Sequence, residues 1–401
     1  MRKTILLRRL LAIYAPTLVL ALYHDLLTTV LPLYLVGLQT EYASIGLILA
    51  AAPIGMLLMD IPAGSVLRRL GTRTSLLLGA SIEALAVLAL FWASNNAEFF
   101  LYRLLAGMAH ALWNLSRHVY LADITRGYQR GRAISLFGGV IRLGGLVGPA
   151  LAGIVGSIYS LRTALLVAAL LSLLALLLTA LLVHPSETMR FRRAPASRGL
   201  PGWLELLQSQ RHILSIAGTG YILAQMIRSA RMVLIPLYGS NILGLSVGDI
   251  GWILSAAALL DMALFYTAGW LMDHLGRKYA IVPCFALQAL GMVFVALSSD
   301  MGTLLSAVLL VGFGNGLGAG SMMTLGADLA PPEATGEFLG MWRLIGDSGM
   351  VASPLLSGAV ASLFSLPLAT LLMAATGFTA AYVFAYKVPE THYPDTRAAF
   401  R

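Results

Sequence analysis

The chain has 401 residues, 58% hydrophobic and only 11% charged, with a formal net charge of +9. Soluble domains carry about 25% charged residues, so this composition and a mean hydropathy of +0.82 exclude a water-soluble domain and indicate an integral membrane protein. The basic excess fits inner-side loops facing anionic lipid headgroups rather than a nucleic-acid surface, and the lone Cys284 excludes an internal disulfide.

A spanning helix needs about 20 mostly apolar residues. The pattern predicts twelve spans, over 11–37, 42–67, 74–94, 98–122, 133–157, 161–183, 212–239, 246–271, 278–298, 302–327, 334–362 and 365–387. Before the first span, Arg2, Lys3, Arg8 and Arg9 lack a small-residue cleavage site and read as a tail ahead of an uncleaved helix. Residues 184–210 are rich in Pro, Ser and Arg and close on Trp203-Leu204-Glu205-Leu206-Leu207. They read as a linker with a short amphipathic helix. The expected domains are a six-helix half at 1–183, the linker at 184–210 and a second half at 211–401. Arg68, Arg69, Arg73, Arg126, Arg130, Arg132, the linker residues Arg190, Arg192, Arg193 and Arg198, then Arg277, Lys278 and Lys387 fall on one side. The opposite loops carry Glu41, Glu98, Asp249, Asp300 and only Arg162. Basic loops mark the cytoplasmic side, which places both termini there. The loop near Asp328, Glu333 and Glu337 lacks Lys and Arg and is the exception.

A charge near the bilayer centre costs several kcal/mol, so each is a functional candidate. The first span holds His24 and Asp25 near its middle; Asp25 reads as a proton carrier or as half of a structural ion pair. In the fourth span Arg103, Gly107, His110, Asn114 and Arg117 recur at steps of four, three, four and three, which puts them on one face. Arg103 could also pair with Glu98 at the outer rim. The fifth span reads Arg142-Leu143-Gly144, then Gly148-Pro149 and Gly153; small residues let helices approach closely. The seventh span adds Arg228 and Arg231, the eighth Asp261, the tenth Asn315 and the eleventh Arg343 and Asp347. The candidate cavity residues are His110, Trp113, Asn114, Arg117, Arg228, Arg231, Asn315 and Met322, with Met56 and Tyr238 as further wall candidates. The many arginines suit an anionic or zwitterionic substrate, unless they pair with Asp25, Asp60, Glu83, Asp261 or Asp347.

Between the eighth and ninth spans lies Gly269-Trp270-Leu271-Met272-Asp273-His274-Leu275-Gly276-Arg277-Lys278. Gly276 supplies a residue that tolerates positive φ in this turn. The stretch recurs 205 residues earlier as Gly64 to Arg73, and the same offset aligns Gly46 with Gly251, Gly107 with Gly312, Asp123 with Asp328, Pro149 with Pro354 and Arg142 with Asp347. An offset of 204 brings Pro32 onto Pro236 and His24 onto Arg228. The chain therefore reads as one unit written twice. Arg343 and Asp347 either form a local pair one turn apart or join Arg142 in a gating network.

The Gly-Asp-Gly-Arg-Lys turn resembles the signature loop of the major facilitator superfamily. The Asp25 helix with Pro32-Leu33-Tyr34, the Arg103 to Gly107 pair, and the Gly148-Pro149 stretch with its flanking glycines are similar to those of its drug–proton antiporter branch. The resemblance covers essentially the whole chain. It implies an all-α fold of twelve transmembrane helices in two six-helix halves, with a substrate site near mid-membrane and alternating access. It further implies a proton carrier at Asp25 assisted by Arg103, and gating or interface roles for Gly148, Pro149, Gly269, Asp273, Gly276, Arg277 and Lys278. His24 joins the proton-coupling candidates by its place beside Asp25, and Arg142, Arg343 and Asp347 join the gating candidates through the repeat. Ala106, Ser135 and Ala152 depart from the branch pattern. Arg68 replaces the signature Asp in the first loop, so that loop is not expected to latch.

The expected function is proton-coupled export of small organic or amphipathic compounds. The alternatives are transport or exchange of organic anions or zwitterions, and, from another class, a non-transporting receptor or lipid-flipping protein. No enzyme activity, metal or cofactor is expected, since the sequence shows no nucleophile triad, phosphate loop or metal-ligand spacing. The expected partners are a small-molecule substrate, protons and membrane lipid, with no nucleic acid. The expected setting is a monomer in a bacterial inner (plasma) membrane.

Overall fold

The computed structural model describes residues 2–124, 129–183 and 205–392. Regular structure among them is helical. The helices are α1 (Arg2–Gly37), α2 (Tyr42–Leu70), α3 (Thr72–Leu90), α4 (Asn96–Ile124), α5 (Gln129–Ile158), α6 (Leu161–Leu182), α7 (Arg211–Asn241), α8a (Val247–Ala263), α8b (Phe265–His274), α9 (Arg277–Ala296), α10a (Met301–Leu317), α10b (Ser321–Leu329), α11 (Thr335–Leu363) and α12 (Leu366–Tyr382), which runs on as a π-turn over Val383–Lys387. Of the predicted linker, 205–209 is helical; 184–204, with Arg190, Arg192, Arg193, Arg198 and Trp203, lies outside the described residues, as does Arg126.

Ten helices among the described residues are long and apolar enough to cross a membrane. The helices α4 and α7 are as long, with 29 and 31 residues. They carry the densest polar sets, Arg103 to Arg117 and Arg228 with Arg231, and are not among the ten.

Two expected spans are broken. The eighth is interrupted at Leu264, close to Asp261, where Gly316 of α10a packs against the Asp261 backbone. The tenth opens at 318–320. Gly312, Gly314, Gly316, Gly318 and Gly320 alternate there, and glycine weakens a helix by about 1 kcal/mol relative to alanine. Gly320 adopts φ +76°, a left-handed conformation that terminates α10a and resets the chain for α10b.

The chain forms two compact units, one of residues 1–192 and 239–255, the other of 193–238 and 256–401. Within the first, α4 approaches α2 so closely that Gly107 lies against the Ala52 carbonyl. Within the second, Gly312 of α10a lies against the Ala257 carbonyl of α8a in the same way. Both partners obey the 205-residue offset, so the repeat holds at the level of contacts. The first unit also packs α1 on α5, where Gly144 meets Ala21 and Gly148 meets Asp25 and Leu26. The second repeats this between α7 and α11: Gly349 meets Ile222 and Gln225, and the Ser353 hydroxyl donates to the Met226 carbonyl at 2.7 Å.

Candidate functional site

The polar face predicted on α4 is assembled with α1 and α3 inside the first unit. Glu83 of α3 is the hub. Its Oε1 accepts a hydrogen bond from the Tyr23 hydroxyl, and His110 Nδ1 lies 2.9 Å from the same oxygen. The His24 ring stacks on His110 with centroids 5.7 Å apart. Arg103, two turns before His110 on α4, is buried within electrostatic range of Tyr23 and Glu83. Glu98 caps the start of α4, taking the Ser94 backbone N–H at 2.7 Å and the Asn95 amide at 2.8 Å. His24, Arg103 and His110 are thus brought together, around a carboxyl that the sequence offered only as a partner for arginines. Its signal was an acid alone in the apolar run of α3.

Asp25, next to His24 in the chain, faces a different helix. A Cβ built on Gly148 of α5 would lie 2.8 Å from the Asp25 Cβ, and one on Gly145 would lie 3.8 Å from Asp25 Oδ2. The glycines of the Gly148-Pro149 motif therefore give α1 the room that brings Asp25 against α5. Two turns beyond His110, Arg117 donates to Asn114 Oδ1, and its guanidinium lies 4.7 Å from the Trp113 ring centre and 4.2 Å from that of Phe137. Trp113 is fully buried against Gly79 of α3. Arg142 is half-buried on α5.

In the second unit, Arg228 of α7 donates at 3.2 Å to the Gly318 carbonyl at the α10 break, which also accepts from the Ser321 hydroxyl at 2.7 Å. It lies over the Phe285 ring at 5.0 Å and near Cys284 Sγ at 3.7 Å. The half-buried Arg231 follows one turn later. Asn315 donates to Asp261 Oδ2 at 2.9 Å. The Met322 carbonyl accepts from Trp342 Nε1 at 2.9 Å, and the Tyr238 hydroxyl donates to the Ala296 and Ser298 carbonyls at 3.0 and 3.2 Å. Arg343 Nε lies 3.4 Å from Asp347 Oδ2, one turn on.

The turn between α8b and α9 is held at many points. Gly276 has φ +119°, and Gly71, its counterpart in the repeat, has φ +76°. Arg277 bridges Asp273 at 3.0 Å and Asp328 at 2.9 Å. Asp328, one acid of the loop that broke the charge rule, is therefore paired with a cation from a neighbouring loop. Lys278 Nζ donates to the Ala385 carbonyl at 2.8 Å. Glu390, beyond α12, accepts the Arg277 and Lys278 backbone N–H groups at 2.9 and 3.0 Å and so caps α9 where the helix dipole favours an anion. Burial alone would push the Glu390 carboxyl up, but the N–H groups of Lys278, His392, Arg277 and Thr391 outweigh it and hold it below its ordinary value. Gly269 has no close neighbour. In the first loop, Arg68 bonds Ser65 at 2.9 Å and Arg73 donates to the Val183 carbonyl at 2.9 Å. Among the described residues no group of three or more His, Cys, Asp or Glu could hold a metal ion.

The family model of the Major Facilitator Superfamily matches residues 15–218 and again 217–401. The chain belongs to the major facilitator superfamily. As a superfamily member it is an integral, multi-pass membrane transporter built on the twelve-helix repeat. It is 24% identical over 284 residues to multidrug resistance protein MdtH of Proteus mirabilis, covering 70% of this chain and 68% of that one. It is also 24% identical over 281 residues to MdtH of Escherichia coli, with 70% and 68% covered. Among solved structures it is similar to the nucleoside transporter NupG, with TM-score 0.78 at 16% identity over 94% of this chain and 98% of that one. It is also similar to a bacterial homologue of the human lysosomal transporter Spinster, with TM-score 0.77 at 13% identity over 94% and 95%. At these identities the solved structures establish the fold alone.

Proposed function

We propose that this superfamily member is a proton-coupled secondary transporter that exports small organic or amphipathic compounds by alternating access. It works as a monomer in a bacterial inner membrane with both termini cytoplasmic. The observation that carries the reading is Asp25, an acid in mid-span that the close approach of Gly148 brings against the glycine-rich face of α5. An acid inside a spanning helix is a functional candidate by default, and the similarity to relatives named multidrug resistance proteins supports a drug-exporting reading. The direct test uses inside-out vesicles with an imposed pH gradient and a pH-sensitive dye. Proton release on adding lipophilic cations, lost in Asp25→Asn, is the expected result. Release that survives in Asp25→Asn removes that residue from the coupling. Silence with cations but a response to organic anions transfers the assignment to the second reading, transport of anions or zwitterions. That reading is favoured by Arg228, whose Nε is buried without a hydrogen bond and whose guanidinium suits a carboxylate or phosphate.

A further inference from the structure

We infer that Glu83 of α3 is a proton-binding site within the spanning region, and that His110 of α4 is the group through which the proton reaches it. The Glu83 side chain is 1% exposed, whereas that of His110 is 22% exposed. The imidazole is thus the accessible end of a pair whose carboxyl is sealed. Oε1 of Glu83 faces two donors, Tyr23 and His110, while Oε2 is buried with no hydrogen-bond partner. A buried carboxylate oxygen without a donor is costly, and one proton on the carboxyl removes that charge. The charged form also has support: Arg103 Nε is buried without a hydrogen bond and its guanidinium is within electrostatic range. Both protonation states are therefore accommodated.

The groups facing Glu83 are Tyr23 from α1 and Arg103 and His110 from α4, with His24 of α1 stacked on His110. The helix α6, which also packs on α3, carries no titratable side chain except Arg162 in its first turn, where it lies over the Phe91 ring. The repeat shows that packing alone does not require a carboxyl here. Gln288 occupies the place of Glu83, and Asn315 that of His110, each 205 residues on. Amides fill the same frame and cannot titrate.

The transfer balances simply. A proton taken at His110 Nε2 forms the imidazolium. The Nδ1–H bond then breaks as an O–H bond forms on Glu83, and the imidazole is left neutral with its proton on Nε2. Release reverses these steps. The inference deepens the proton-coupling proposal and rests on it only for use in transport; proton binding is tested without any substrate.

The experiment is infrared difference spectroscopy of the full chain in liposomes across a pH titration. The expected result is a carboxylic-acid carbonyl band that is missing in Glu83→Gln and present in Asp25→Asn. In His110→Gln, which keeps the carboxyl, the band forms more slowly after a pH jump, by on the order of a hundredfold. A wild-type band that persists in Glu83→Gln, or no titrating band at all, overturns the site. An unchanged rate in His110→Gln overturns the route. Dye measurements with tetraphenylphosphonium on the same vesicles separate the two readings. Wild-type silence there defeats proton-coupled export of that cation and leaves the infrared result standing. Wild-type proton release that Glu83→Gln preserves removes Glu83 from transport.

Discussion

Glu83 and Gln288 occupy one position of the repeat, 205 residues apart, and their surroundings differ in kind. Around Glu83 the first unit gathers a phenol, two imidazoles and a guanidinium. Around Gln288 the second unit gathers a thiol and a guanidinium: Gln288 Nε2 lies 3.2 Å from the Cys284 carbonyl and 3.1 Å from its Sγ, and Arg228 stands where the repeat places His24. The second half thus fills the frame with amides, a thiol and a guanidinium, and the first with a carboxyl, a phenol, two imidazoles and a guanidinium. The contact of α1 with α5 differs from its repeat in the same sense. Asp25 sits against Gly148, whereas in the second half Ser229 and Ser353 take those places and bond to carbonyls across the contact. A shared scaffold has been kept and its chemistry divided between the halves.

The strongest way to break this comparison is to attack what the halves share. Gly107→Leu and Gly312→Leu each drive a side chain into a facing backbone carbonyl and are expected to cost about 3 kcal/mol or more, read as loss of monodisperse protein in detergent. Equal damage from both confirms that the close approach is common scaffold; tolerance of either one refutes it. The next effect separates the halves. Glu83→Leu leaves Tyr23 and His110 without their acceptor, at about 1–3 kcal/mol for each orphaned donor. Gln288→Leu removes one amide and costs about 1 kcal/mol. Thermal unfolding should rank Glu83→Leu well below Gln288→Leu, with Glu83→Gln close to wild type.

A smaller, pH-dependent effect is expected at Glu390. Its folded carboxyl titrates below its unfolded value. The stabilisation is therefore fully present above the unfolded pKa of about 4.3 and is lost as the pH falls through the lower folded value. The melting-temperature difference between wild type and Glu390→Gln should correspond to about 0.3–1 kcal/mol at pH 6 and fade with acidification. A difference that grows as the pH falls contradicts the cap. The smallest effect belongs to Asp273, whose side chain is 71% exposed against 24% for Asp328. Asp273→Asn should change stability by a few tenths of a kcal/mol, and Asp328→Asn by more.

The helical pattern was legible because each span is a long apolar run bounded by charge, and the repeat was legible in its glycines and prolines. The breaks at Leu264 and 318–320 were not, since hydropathy does not register an interruption of the helix inside an apolar segment. The glycine run of α10 was their only local sign. In the site, His24, Arg103 and His110 were legible through helical spacing and burial cost. Glu83 is legible in the sequence only as a partner for arginines, because its own partners are remote in the chain, 60 residues away at Tyr23 and 27 at His110. No periodicity on α3 points to them. The acidic loop at Asp328 stood out as a violation of the charge rule, and only the fold supplies its answer in Arg277.

Glu390 follows Arg277 by 113 residues. During synthesis, the turn at Gly276 and the first residues of α9 are therefore laid down long before the carboxylate that caps them. Until the segment after α12 has been made, those backbone donors lack the Glu390 carboxylate that accepts from them. The closing of this turn then reports that the second half has been made and threaded to its final helix.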